Sequence, residues 1–108
     1  MTAKLIFISH GYSYNPSESY ENAKKYAQFV ARYNHIPISP VLLFHGVYNN
    51  GSQYELIIEN CKRLIDKCDE VWMFDRNGDS AGVREEMKYA YLQKKRIVII
   101  DTRTDRYL

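Results

Sequence analysis

The sequence predicts an α/β fold: a flavodoxin-like, Rossmann-like three-layer sandwich with a four-stranded parallel sheet, order 2-1-3-4, and three helices. Three observations predict it. Four short apolar runs (Lys4–Ile8, Ile36–Phe44, Glu70–Phe74 and Arg96–Ile100) have the length of strands. The stretches between them repeat apolar residues at helical spacing. Strands and helices alternate as βαβαβαβ with short connections, the pattern of a parallel sheet covered on both faces. Pro37 and Pro40 exclude the second run from the sheet centre, and right-handed crossovers then set it beside the first strand.

The elements follow in order. After the first strand, Ser9 to Tyr14 is a loop containing Gly11. Asn15-Pro16-Ser17-Glu18 opens a helix, with Asn15 as cap, Pro16 in the first helical position and Glu18 able to reach back to the cap amide. Tyr20, Ala23, Ala27, Val30 and Ala31 lie on its apolar face, and Asn34 suits a left-handed end. Ile36–Phe44 is read as one extended edge segment, followed by an Asn- and Gly-rich loop from His45 to Gly51. Ser52-Gln53-Tyr54-Glu55 reads as a second capping box, and Ile57, Cys61, Leu64, Ile65 and Cys68 form the clearest amphipathic stripe in the chain. Asp75–Asp79 is a polar loop. Ser80 is the expected cap of a helix reaching about Gln93, with Val83, Met87, Ala90 and Tyr91 as its apolar stripe. Asp101–Leu108 reads as a polar tail.

Composition narrows the function classes. The 108 residues are expected to form a single domain, 1–108. With 45% apolar and 26% charged residues, the chain has the profile of a folded domain and not of a disordered one. A net charge of +2 gives no electrostatic case for a nucleic-acid polymer as partner. No apolar run approaches the roughly 20 residues of a membrane span, and the start of the chain reads as a strand and not as a signal peptide, so the expected location is cytoplasmic and no membrane partner is expected. Cys61 and Cys68 are seven apart on one helix, about 10 Å along its axis and too far to bridge. Two reduced, buried thiols are the simplest reading. Neither the cysteines nor the scattered His10, His35 and His45 have metal-ligand spacing, so no metal and no cofactor is expected.

In a sheet of this order, ligands bind beyond the carboxyl ends of the strands, where the chain reverses direction between the first and third strands. That selects two loops, Ser9–Asn15 and Asp75–Gly82. The expected substrate contacts are Ser9, Gly11, Asp75, Ser80 and Gly82, with Arg84 in the following turn. Ser80 and the free amides behind it suit a phosphate or a sugar hydroxyl, although a bare helix cap has the same sequence. Glu86 falls beside the apolar stripe of the last helix, and Glu85 points to solvent. A carboxylate there suits a nucleophile or a sugar-hydroxyl acceptor, and equally a flanking ion pair. Tyr12 stands where its phenol can orient Glu86 or stack on a base.

These residues carry a resemblance. Ile8-Ser9-His10-Gly11-Tyr12, Asn22-Ala23-Lys24, His35-Ile36-Pro37-Ile38-Ser39-Pro40, Cys68-Asp69-Glu70-Val71-Trp72-Met73-Phe74 and above all Ser80-x-Gly82-x-x-x-Glu86-x-x-x-Ala90 span nearly the whole chain. Together they resemble the nucleoside 2-deoxyribosyltransferase-like superfamily, particularly its small phage- and bacterium-borne members. The resemblance implies Glu86 as a nucleophile on the anomeric carbon of a nucleoside or nucleotide, Tyr12 as its orienting partner, and Ser80 and Gly82 as sugar or phosphate contacts. It implies an N-glycosidase or deoxyribosyltransferase acting on a small molecule, assembled as a homodimer or larger homo-oligomer, with the tail Arg103–Leu108 reaching a neighbour's site. The alternatives are a catalytically weak protein that senses or sequesters a small nucleotide, and a structural or interaction module with a fossil pocket. Two departures stand out. Cys61 occupies the place where catalytic relatives carry an aspartate, and the first loop reads Ser-His-Gly-Tyr where they more often read Ser-Gly-Pro-Tyr.

Overall fold

The computed structural model describes residues 2–11, 16–49, 51–74, 80–102 and the backbone of 106–107. The elements are β1 (Leu5–Ser9), α1 (Pro16–Arg32), β2 (Ile36–Ile38), α2 (Pro40–Phe44), α3 (Tyr54–Lys67), β3 (Glu70–Met73), α4 (Ala81–Leu92), β4 (Arg96–Asp101) and β5 (Arg106–Tyr107). The sheet runs β2-β1-β3-β4-β5. Its first four strands are parallel, in the expected order 2-1-3-4. Leu5 pairs with Ile36, Phe7 with Val71, and Val71 with Ile97.

β1 and β3 are buried along almost their whole length, as continuous apolar runs in a two-sided sheet require. Ile6, Ile8, Trp72, Phe74, Val98 and Ile100 turn to one face and meet Phe29 and Val30 of α1. Phe7 and Val71 turn to the other face and meet Cys61 and Ile65 of α3, Cys68 at its end, and Ala90 of α4. The crossover through α1 therefore covers one face, and those through α3 and α4 cover the other. Glu70 is buried in this frame at the amino end of β3. Trp72 Nε1 donates to its Oε1 at 3.0 Å, and Lys4 Nζ sits 2.7 Å from its Oε2. Burial pushes this carboxyl upward, but those two hydrogen bonds and the charges of Lys4 and Arg96 outweigh it and hold Glu70 below the ordinary carboxylate range. Asp69 acts structurally, its Oδ2 accepting the Leu5 amide at 2.8 Å.

Several expectations change at the level of single elements. The apolar segment Ile36–Phe44 is not one extended strand. Only Ile36–Ile38 pairs, at the sheet edge, and Pro40–Phe44 forms a fourth helix. Ser39 caps it, its Oγ accepting the Leu42 amide at 3.3 Å, and Pro40 occupies the first turn, where a missing N–H costs nothing. The box at Ser52 is not used either. Gln53 is the residue before α3 and makes no side-chain cap bond. The turn before it is held by Asn49, whose Oδ1 accepts from the amides of Gly51 and Ser52 at 2.9 Å each. On α1, Ser19 and Phe29 are buried and Ala31 is exposed. On α4, Glu86 takes the buried place expected of Tyr91, which is 76% exposed. The tail is not wholly irregular, because Arg106–Tyr107 pair antiparallel with Ile100–Asp101 of the same chain and form a fifth strand. The helix ends match expectation at Asn34, which adopts φ 62°.

Ile65 is completely buried between α3 and the sheet. Ile65→Ala is expected to cost about 2–5 kcal/mol of unfolding free energy. Urea denaturation of both proteins measures it, and a change below 1 kcal/mol, on the order of an exposed-site substitution, would contradict the packing described.

Candidate active site

A cavity of about 370 Å³ opens beside the carboxyl end of β1, within the usual size of small-ligand sites. One wall is α2 and the turn after it, with Val41, Phe44, His45 and Tyr48. A second is the start of α3, with Tyr54, Ile57, Ile58 and Cys61. A third is the start of α4, with Ser80, Ala81, Gly82 and Glu86, and Ile8 of β1 and His10 just after that strand close it. The lining is largely apolar and aromatic, with polar side chains from His10, His45, Tyr48, Tyr54, Ser80 and Glu86.

Glu86 is brought there by simple helix geometry. Ser80 caps α4 with extended backbone, and its Oγ lies 3.5 Å from the Val83 amide. Val83, Glu86 and Ala90 then fall on one buried stripe, three and four residues apart, while Glu85 faces solvent. The Glu86 residue is 8% exposed and still lines the cavity. Ser9 Oγ donates to its Oε1 at 2.6 Å, the short distance of a hydroxyl on a carboxylate. The Cys61 thiol is its second hydrogen-bond partner. Burial pushes the Glu86 carboxyl up to about 7, against these two hydrogen bonds, which favour the ionised form. Cys61 is pushed far above the usual thiol range, by burial first and by the neighbouring carboxylate second, so it stays a protonated donor.

A family described as Domain of unknown function (DUF7768) matches residues 4–100. The chain belongs to that family. No curated protein matches it. Among solved structures, it is similar to a 2-deoxyribosyltransferase from Bacillus psychrosaccharolyticus, with TM-score 0.70 and 18% identity over 89% of this chain and 71% of that one. It is also similar to a 2-desoxiribosyltransferase from Leishmania mexicana, with TM-score 0.68 and 16% identity over 92% of this chain and 65% of that one. The fold of this DUF7768 chain is thus nucleoside 2-deoxyribosyltransferase-like, and the chain spans about two thirds to seven tenths of those enzymes' length.

The residues singled out in the sequence are distributed unevenly. Ser80, Gly82 and Glu86 line the cavity together. Ser9 is 1% exposed and directs its hydroxyl at Glu86. Gly11 is half-buried and Arg84 is exposed, and neither lines the cavity. Tyr12 and Asp75 lie outside the described residues. Among the described residues, no group of three His, Cys, Asp or Glu could hold a metal ion, and no helix is long and apolar enough to cross a membrane. Sequence reasoning missed the α2 wall, Tyr48, Tyr54 and the contact of Cys61 with Glu86. The pair Ser39-Pro40 was the available signal for α2, since a capping residue followed by proline starts a helix as readily as it interrupts a strand. Cys68 is buried on the same face as Cys61, and burial pushes it up to about 11, but it does not line the cavity.

The raised Glu86 carboxyl makes stability pH-dependent. Its ordinary value is 4.5 and its folded value about 7, so between them the folded state holds more protons than the unfolded state. The associated stability is present below the lower value and is lost as pH rises through 7, by about 3 kcal/mol in total. Glu86→Gln is therefore expected to melt higher than the parent at pH 8, with the gap closing toward pH 5. Melting curves across that range test it, and a gap that does not vary with pH would refute the assignment.

Proposed function

We propose that the chain is a nucleoside N-glycosidase or deoxyribosyltransferase-like enzyme with Glu86 as its nucleophile. The observation that carries this reading is a buried carboxyl at the wall of a ligand-sized cavity, held by Ser9 and Cys61 and poised near neutrality. An ionised Glu86 oxygen attacks the anomeric carbon as the bond to the base breaks, and the bonding electrons leave with the base nitrogen. Water, or a second base, then attacks the same carbon and returns the carboxylate. The leaving base needs a proton, and the lining supplies it from His10, His45 or water, Glu86 being the only carboxyl among the described lining residues. The similarity to two 2-deoxyribosyltransferases supports the same substrate class.

An uncharged nucleoside fits this lining better than a nucleotide, because no Lys or Arg stands among the described lining residues. The site residues proposed are Glu86 with Ser9 behind it, and Ser80 and Gly82 toward the substrate, with Tyr12 and Asp75 proposed from the sequence alone. Free thiols at Cys61 and Cys68 fit a reducing cytoplasm, and Tyr91, Leu92 and Ile99 are exposed apolar side chains that a homo-oligomer would cover. The second reading, a nucleotide-binding protein with little turnover, is favoured by one observation. At the Glu86 contact stands a thiol held protonated by burial, a poor proton donor to a leaving base.

Incubation with a panel of ribo- and deoxyribonucleosides and their 5′-monophosphates, with free base followed by chromatography, separates the readings. Base release that falls at least 10³-fold, by order of magnitude, in Glu86→Gln supports the enzyme. Binding without release supports the second reading, and neither behaviour removes both. Where base is released, kcat/KM is expected to rise with pH to a plateau, with its midpoint near 7, as Glu86 loses its proton. A midpoint near 4.5, the ordinary value for the group, would show that its burial is not maintained in the working enzyme.

A further inference from the structure

Gly82 occupies the second position of α4, and its backbone does not need glycine, because among the described glycines only Gly46 has positive φ. Space does not demand it either. A Cβ at Gly82 would meet Ile58 Cδ1, Ser80 Oγ and Tyr54 Oη at 3.7 Å each, ordinary contact distances. An alanine would fit and would favour the helix. Glycine here leaves a notch instead, and two hydroxyl oxygens border it.

One of them belongs to Tyr54, the first residue of α3, which lines the cavity and is 39% exposed. No hydrogen bond of its hydroxyl to the described residues is formed. The notch and the reactive carboxyl share α4, with the Cα positions of Gly82 and Glu86 about 6 Å apart along the axis. That separation matches a furanose ring with its exocyclic arm. A sugar whose anomeric carbon meets Glu86 and whose ring runs along α4 toward its start brings its far hydroxyl into the notch. On α3, Cys61 lies against Glu86 and Tyr54 against Gly82.

We propose that Tyr54 is a substrate-recognition residue, its phenol hydroxyl hydrogen-bonding the sugar hydroxyl farthest from the anomeric carbon, the 5′-hydroxyl, within the notch left by Gly82. This rests on the nucleoside reading of the cavity. Tyr54 and Ser80 supply two neutral groups, each able to donate and to accept, which suits an alcohol. Glu86 selects the anomeric end and Tyr54 the opposite end, so the pair fixes the direction in which a nucleoside lies.

The test measures affinity by calorimetry. The four common 2′-deoxynucleosides are titrated into the full chain, and the tightest binder is compared with its 5′-deoxy analogue, for the parent, Tyr54→Phe and Gly82→Ala. The parent is expected to lose roughly 3- to 10-fold in affinity when the 5′-hydroxyl is removed, the worth of one neutral hydrogen bond. Tyr54→Phe keeps the ring and is expected to bind the nucleoside weaker by the same factor and to ignore the 5′-hydroxyl. Gly82→Ala is expected to melt no lower than the parent and to bind the nucleoside less well, which separates occupancy of the notch from loss of fold. A Tyr54→Phe protein that discriminates the 5′-hydroxyl as the parent does overturns the assignment of Tyr54 while leaving the nucleoside reading intact. A parent that binds none of the four nucleosides overturns the nucleoside reading, and the role of Tyr54 falls with it.

Discussion

The placement of one carboxyl group organises this molecule. Glu86 sits where a charged side chain is costly, at the junction of α4, α3 and the end of β1, and the local structure is arranged around that cost. Ser9 is the last residue of β1, paired in register with Met73 of β3, so its hydroxyl is held by the sheet and not by a loop. Cys61 is held equally firmly by the α3 packing against Phe7 and Ile65. Glu86 thus meets two donors that cannot easily withdraw, yet one side of it borders the cavity. Burial and hydrogen bonding pull its proton affinity in opposite directions, and burial prevails.

The cavity itself follows from how the crossovers divide. α1 covers one face of the sheet, while α3 and α4 cover the other. The chain reverses direction between β1 and β3, which opens a crevice that side chains of the sheet do not fill. α2 is only five residues long, but it turns an apolar segment away from the sheet edge and makes it a wall. Had Val41 to Phe44 continued as a strand, that wall of the cavity would be absent.

The likeness to 2-deoxyribosyltransferases at 16–18% identity shows how little sequence the fold needs. Buried apolar runs in β1 and β3, helices with one apolar stripe and a proline-bearing edge strand suffice to set the architecture, and many residues satisfy each requirement. The details around Glu86 are more particular to this chain. The second hydrogen-bond partner of the carboxyl is a thiol, a weak donor, so burial outweighs hydrogen bonding in setting its proton affinity.

The sequence by itself determined the architecture, because hydrophobic periodicity and capping are local. Strand order, the edge position of β2, the left-handed turn at Asn34 and the burial of Ile65 were legible from a few neighbouring residues each. So was the face of α4 on which Glu86 lies, since three- and four-residue spacing decides it. The tertiary structure alone decided the rest. The apolar run Ile36–Phe44 satisfies strand and helix patterns alike, and only packing over the cavity selects a helix for its second half. The protonation of Glu86 depends on a serine 77 residues away and on the water that α3 excludes, and the notch between Tyr54 and Gly82 exists only because two helix starts meet. Desolvation and proximity are properties of distant residues brought together, and no local pattern encodes them.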